Sequence, residues 1–247
     1  MTIRSENELA ALRAAGLIAA EALEAMRQAV RPGITTAELD QVARDVYARR
    51  GARSAPELVY QFPGATCISV NDEVVHGIPG PRALQPGDVV KLDVTLEKDG
   101  YMADTACTVI VEPRSALARR LASCAKQAFE AALAVAKAGQ PISRVGRMVE
   151  EVVKGQGFTV IKQLCGHGIG RTIHEAPEVP NYFDPRHRGV FEEGMILTIE
   201  PIIAAGSGHT VNAKDGWTIK TSDRSLAAHF EHTLAITKGR PVVLTAA

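Results

Sequence analysis

Gly87-Asp88-Val89-Val90-Lys91-Leu92-Asp93 recurs 107 positions further on as Gly194-Met195-Ile196-Leu197-Thr198-Ile199-Glu200. Each stretch is a glycine, an apolar and largely β-branched run that reads as a strand, and a carboxylate at the end. The helices repeat too. Glu21-Ala22-Leu23-Glu24-Ala25 returns as Gln127-Ala128-Phe129-Glu130-Ala131, while Gly33, Leu39, Val42, Val46 and Gly51 return as Gly139, Val145, Met148, Val152 and Gly157, at an offset of 106. Residues 5–30 read as an amphipathic helix stopped by Arg31-Pro32-Gly33. Thr35 or Thr36 then caps a second helix that runs to about Arg50 and ends at Gly51. Helices, stops and strands repeated in order point to an internal duplication. Two similar halves, approximately 1–125 and 126–247, would pack as one α+β domain over 1–247, with helices on antiparallel strands and the acids near a pseudo-twofold axis. No Pro/Gly/Ser-rich linker divides them.

The acids lie on strands that can bring them together. Residues 89–96 and 101–111 flank Asp99-Gly100, a pair that favours a two-residue hairpin turn. That turn sets Lys98 opposite Tyr101 and Thr95 opposite Asp104. Asp93 then shares a face with Asp104 as its diagonal neighbour, about 7–8 Å away at Cα. Asp104-Thr105 corresponds to Glu231-His232-Thr233 in the second half, with Glu231 inside an apolar strand over Ala227–Thr237. Glu200 ends the strand Met195–Ile199, and Pro201 after it keeps the backbone extended and removes a ladder donor. Carboxylates embedded in apolar strands cost several kcal/mol each unless a cation meets them or they protonate. Gly166-His167-Gly168-Ile169-Gly170 places a histidine where alternating glycines allow close backbone approach, and His174 follows seven residues on. His76 lies in the turn-rich stretch 71–79.

Asp93, Asp104, His167, Glu200 and Glu231 together form an oxygen-rich set without cysteine. Such a set suits one or two hard divalent ions that activate water, not a closed structural zinc. The reading is a metallohydrolase. His187, His209, His229 and His232 read as surface or core, and Cys107, Cys124 and Cys165 as small core residues.

Bulk properties agree. Of 247 residues, 46% are hydrophobic, enough for a substantial core, and Lys+Arg and Asp+Glu balance at 28 each. No field therefore draws in nucleic acid or an anionic membrane, and no apolar run reaches the length of a membrane span. The stretch 1–25 is broken by Glu6, Glu8, Arg13, Glu21 and Glu24, unlike a secretion signal. The four cysteines lack CxxC spacing. A cytoplasmic protein with reduced thiols is expected.

The chain resembles the type I methionine aminopeptidases of the pita-bread (creatinase/aminopeptidase) fold. The matching motifs are Cys67 to Asn71, His76-Gly77-Ile78-Pro79, Leu92-Asp93-Val94, Ala103-Asp104-Thr105, Gly166 to Gly170, His174-Glu175, Thr198-Ile199-Glu200-Pro201 and Phe230-Glu231-His232-Thr233. The resemblance implies two curved-sheet halves related by a pseudo-twofold, and two divalent ions per chain, Co, Mn, Fe or Zn. Asp93, Asp104 and Glu231 would hold one ion; Asp104, His167, Glu200 and Glu231 would hold the other. It implies removal of the initiator methionine from nascent polypeptides with a small second residue, by a metal-activated water. Glu200 would shuttle protons, His76 and His174 would contact the scissile amide, and Phe62, Cys67 and Trp217 would wall the methionine pocket. A monomer with transient ribosome contact is expected. The short gap from Glu200 to Glu231 excludes the helical insertion of type II enzymes, and the chain reads as the simple bacterial form without an N-terminal extension. Leu164, Ile173, Pro56 and Val59 depart from residues usual in the family and bear on the pocket. The alternatives are a proline-specific pita-bread aminopeptidase or dipeptidase, and a non-catalytic binding protein of the same fold.

Overall fold

A computed structural model describes residues 1–246. Its helices begin where side chains satisfy free backbone N–H groups. In α1 (Glu6–Ala29) the Ser5 hydroxyl accepts from Glu8 N, with Glu6 and Glu8 in the first turn and Arg27 in the last, each matched to the helix dipole. In α2 (Thr36–Arg50) Thr35 and Glu38 form a reciprocal capping box, and Gly51 closes the helix at φ 62°. A six-residue α3 (Ala55–Tyr60), capped by Ser54, has no counterpart in the sequence reading. Ser115 caps α4 (Ala116–Val135), and α5 (Ser143–Gly155) completes the set.

The helices cover a nine-stranded antiparallel sheet. Its main path runs Arg53–Ser54, Val89–Lys98, Tyr101–Ile110, Glu231–Ala235, Ile196–Ile199, Cys165–Gly168, Glu175–Pro180. Cys67–Val70 joins it beside Val89–Lys98, and Val242–Val243 beside Glu231–Ala235. Each helix pair buries its own half of this sheet. Ile18, Leu23, Met26, Leu39 and Val46 of α1 and α2 pack on Ile68, Leu92, Leu96 and Ala103. Phe129, Leu133, Val145, Val149 and Val153 of α4 and α5 pack on Leu197, Ile199, Ile203 and Leu234. The two halves meet where His232 faces Thr105 and Glu231 faces Ala106.

The hairpin has the expected register: Lys98 faces Tyr101 and Thr95 faces Asp104, around Asp99 and Gly100 at φ 51° and 82°. Two positive φ values in a row match the right-handed strand twist, which is why Asp-Gly works here. One expected strand differs. Ala227–Thr237 is broken at Phe230: Ala227–His229 pairs with Ile202–Ala204 in a separate three-stranded sheet, and Glu231–Ala235 stays in the large one. The partner strand divides at the same place, at Glu200-Pro201, where proline has no N–H to continue the ladder. This double divergence opens the space into which the acids point. A third small sheet, Thr210–Asn212, Ile219–Thr221 and Glu73–Val75, lies beside it.

Beneath that space Lys91 is 1% exposed. Its ammonium donates to the carbonyl oxygens of Asn71 at 2.8 Å and Val89 at 3.3 Å, tying the 67–76 segment to the Asp93 strand. Leu92, beside it, is fully buried between helix and sheet. Leu92→Ala is expected to lower unfolding free energy by about 2–5 kcal/mol, the usual range for a core leucine, read as a shifted urea midpoint at constant m-value.

Candidate metal centre and active site

Asp93, Asp104, His167, Glu200 and Glu231 all line one cavity of about 290 Å³, together with His76, His174, Phe62, Cys67 and Trp217. The structure thus gathers every site residue expected from the sequence. One oxygen each from Asp104 and Glu231 and a ring nitrogen of His167 lie within 4.8 Å of one another. His167 Nε2 is 3.4 Å from Glu200 Oε1 and 4.0 Å from Asp104 Oδ2. Asp93 sits across the strand from Cys67 on one side and from Ala106 on the other, on the same face as Asp104.

The backbone is pinned so that these atoms converge. Thr233 Oγ1 accepts from Asp104 N and donates to Asp104 O, locking the two central strands at the acid itself. Thr198 Oγ1 accepts from His167 N and donates to Glu200 Oε1 at 2.8 Å. Asn181 holds the Glu200 carbonyl. The glycines around His167 make this approach possible: a Cβ on Gly166 would overlap the Thr198 carbonyl, and one on Gly168 the Ala176 carbonyl. His167 Nδ1 is 3.0 Å from the Gly168 carbonyl, which only accepts, so Nδ1 carries the proton and Nε2 offers its lone pair to the acids.

No lysine or arginine lines the cavity. Burial pushes the carboxyls of Asp93, Glu200 and Glu231 well above the usual range, and the neighbouring carboxylates, Asp104 foremost, push them further. Burial raises Asp104 to about 6, against hydrogen bonds from Thr95 and Asp93. Burial lowers His167 to about 4 and so keeps it neutral. Asp104 Oδ1 is buried without any hydrogen-bond partner. An orphaned carboxylate oxygen, crowded acids and a neutral imidazole with a free lone pair are what a divalent cation needs. The residues fit a metal.

Other residues shape the slot. His76 holds φ 56°, a left-handed conformation that costs a non-glycine residue about 1–3 kcal/mol and is typical of functional positions. His174 stands at the exposed mouth, its ring 4.3 Å from that of His167. Phe62 and Trp217 meet edge to face at 5.2 Å. Burial drives the Cys67 thiol far up, so it is a wall rather than a nucleophile.

Several expectations change. Pro56, Leu164 and Ile173 do line the cavity, but Val59 does not; it faces solvent at 40% exposure on the outer side of α3. Cys165 belongs to the cavity wall rather than the core. The sequence reading passes over Tyr60 and takes His229 as surface or core, whereas His229 lines the cavity. Tyr60 closes the mouth, its hydroxyl 2.5 Å from His174 Nδ1. His229 lies two residues before Glu231, an alternation that could have marked it.

Fold and site define a metal-dependent hydrolase. Residues 10–238 match the model of metallopeptidase family M24. The chain is 44% identical to methionine aminopeptidase 2 of Bacillus subtilis, over 99% of each protein, and 41% identical to a methionine aminopeptidase of Staphylococcus epidermidis, over 99% of this chain and 98% of that one. The methionine aminopeptidase structure from Thermotoga maritima superposes with a TM-score of 0.97 at 34% identity, covering both chains completely. The prolidase of Pyrococcus furiosus, at 22% identity, TM-score 0.81 and coverage of 100% of this chain and 66% of that one, shares the pita-bread fold. The chain belongs to metallopeptidase family M24, among its methionine aminopeptidases.

Two outcomes follow from this geometry. Asp104 and the three acids beside it must lose their protons to bind a cation, and burial holds those protons above the usual carboxylate range, so metal affinity is expected to rise with pH through about 6 and to keep rising above it; calorimetric titration of Mn²⁺ from pH 5 to 7.5 measures this. Tyr60→Phe, which removes one hydrogen bond to His174, is expected to lower kcat/KM about fivefold, the kinetic equivalent of about 1 kcal/mol.

Proposed function

We propose that this chain hydrolyses the first peptide bond of polypeptides that begin with methionine and carry a small second residue. The observation that supports it most is the meeting, in one cavity, of five ligand-type side chains with His76, His174 and an apolar slot walled by Phe62, Cys67 and Trp217. Asp93, Asp104 and Glu231 would hold one ion, and Asp104, His167, Glu200 and Glu231 a second. Bound there, divalent ions of Mn, Fe, Co or Zn would supply Lewis acidity to the scissile carbonyl and acidify water toward neutral pH.

The chain's own groups do the rest. Glu200 Oε1 is held by Thr198, leaving Oε2 to accept a proton from water and return it to the leaving amine. With Nδ1 of His174 engaged by Tyr60, Nε2 is the atom left to hydrogen-bond the carbonyl oxygen of the first residue. His76, fixed by its backbone, would bond the amide of the second residue. The slot takes an unbranched, polarizable thioether between aromatic edges, which favours methionine over β-branched or charged side chains. The balanced charge and absence, among the described residues, of a helix able to cross a membrane accord with a cytoplasmic enzyme acting on nascent chains at the ribosome. The reading is of a monomer and a single catalytic domain.

Glu200→Ala and His167→Ala are each expected to abolish methionine release from Met-Ala-Ser in metal-loaded protein; release within a few-fold of wild type would overturn the site. In a peptide panel, Met-Ala-Ser is expected to be cleaved and Xaa-Pro peptides left intact, whereas preference for the proline peptides would move the chain to the prolidase side of its family.

A further inference from the structure

His229 is 2% exposed, and both of its ring nitrogens are buried without a hydrogen-bond partner. It lines the cavity, with Nε2 3.5 Å from Glu231 Oε2 and 3.9 Å from Glu200 Oε2. Its backbone is clamped: His229 N donates to Thr108 Oγ1 at 2.9 Å, and Thr108 Oγ1 donates to His229 O at 2.8 Å. The ring is therefore held at the rim of the acid cluster and is no adjustable filler. A buried imidazole with no outlet is costly in a packing role, where an apolar side chain would serve better. The two carboxylate oxygens within 4.0 Å of Nε2 accept and never donate when ionised.

We infer that His229 is a positioning residue of the metal centre, its Nε2 hydrogen directed at Glu231 Oε2 and so limiting the rotation of that carboxylate. The inference rests on the metallopeptidase reading and adds to it a residue outside the five ligands. Neutral imidazole suits the task. It supplies one directional donor without adding a positive charge that would compete with a cation for the same acids. Thr198 does the equivalent work on the other side, donating to Glu200 Oε1.

The test is calorimetric titration of Mn²⁺ into metal-free wild type, His229→Ala and His229→Gln, with steady-state kinetics on Met-Ala-Ser. His229→Ala is expected to weaken metal binding by about 10–100-fold, the usual effect of losing a group that orients ligands. It should also lower kcat while leaving KM unchanged. His229→Gln, whose amide can donate from a similar position, is expected to recover most of both. Wild-type affinity in the alanine variant, or no recovery by glutamine, overturns the inference. Should His229→Ala fail to fold, wild-type protein labelled with ¹⁵N-histidine and loaded with Zn²⁺ decides. A protonated Nε2 supports the role, and a proton on Nδ1 or a metal-bound Nε2 overturns it. Wild type that takes up no metal overturns this inference and the hydrolase reading together, whereas tight binding shared by wild type and the alanine variant overturns the inference alone.

Discussion

Uncompensated negative charge is the constraint around which this molecule is arranged. Asp93, Asp104, Glu200 and Glu231 share a cavity with no lysine or arginine in its walls. Asp104 strengthens the hold of Asp93, Glu200 and Glu231 on their protons. In low dielectric such a group is relieved in only two ways, by protonation or by a cation. The neutral imidazole of His167, with its lone pair aimed at the acids, favours the second. A cavity of this kind is expensive to the fold without its ions, and the surrounding structure is built to withstand it.

That resistance is local and made of threonines. Thr233 bonds both backbone groups of Asp104. Thr198 spans from His167 N to Glu200, and Thr105 donates to the Glu231 carbonyl. Threonine suits this use: its methyl and β-branching fit a packed strand, while its hydroxyl ties a neighbouring chain. The ligand strands are thereby cross-stitched at the ligands themselves. Outside the stitching, the two helix pairs supply the apolar burial that holds the sheet halves together.

How much of this could be read in advance follows from how local each signal is. The hairpin register was legible because Asp99-Gly100 selects a two-residue turn, after which pairing leaves no freedom. The clustering acids were legible because acids in apolar strands are conspicuous, and because the repeat returns the carboxylate ending of each strand. Tyr60 was not, since α3 is a six-residue helix with no apolar periodicity to announce it. The passage of the 227–235 stretch from one sheet to another was equally hidden: no Gly, Pro, Asn, Asp or Ser marks a break at Phe230, and the divergence lies opposite the missing donor of Pro201 on a neighbouring strand. His229 was set aside as a single histidine between apolar residues, although its place two residues before Glu231 could have marked it.

The slot is uneven in its support. Its base, the acid-bearing strands, lies in the nine-stranded sheet under both cores, and Lys91 braces the 67–76 segment from below. Its Trp217 wall belongs to a hairpin whose strands, Thr210–Asn212 and Ile219–Thr221, are three residues long and partly open to water. Opening free energy tracks buried apolar contact, so this wall loosens at a smaller cost than the base does. The two sides of the cavity therefore have separate opening thresholds. Under mild denaturant the Trp217 hairpin is expected to open before the acid-bearing strands part.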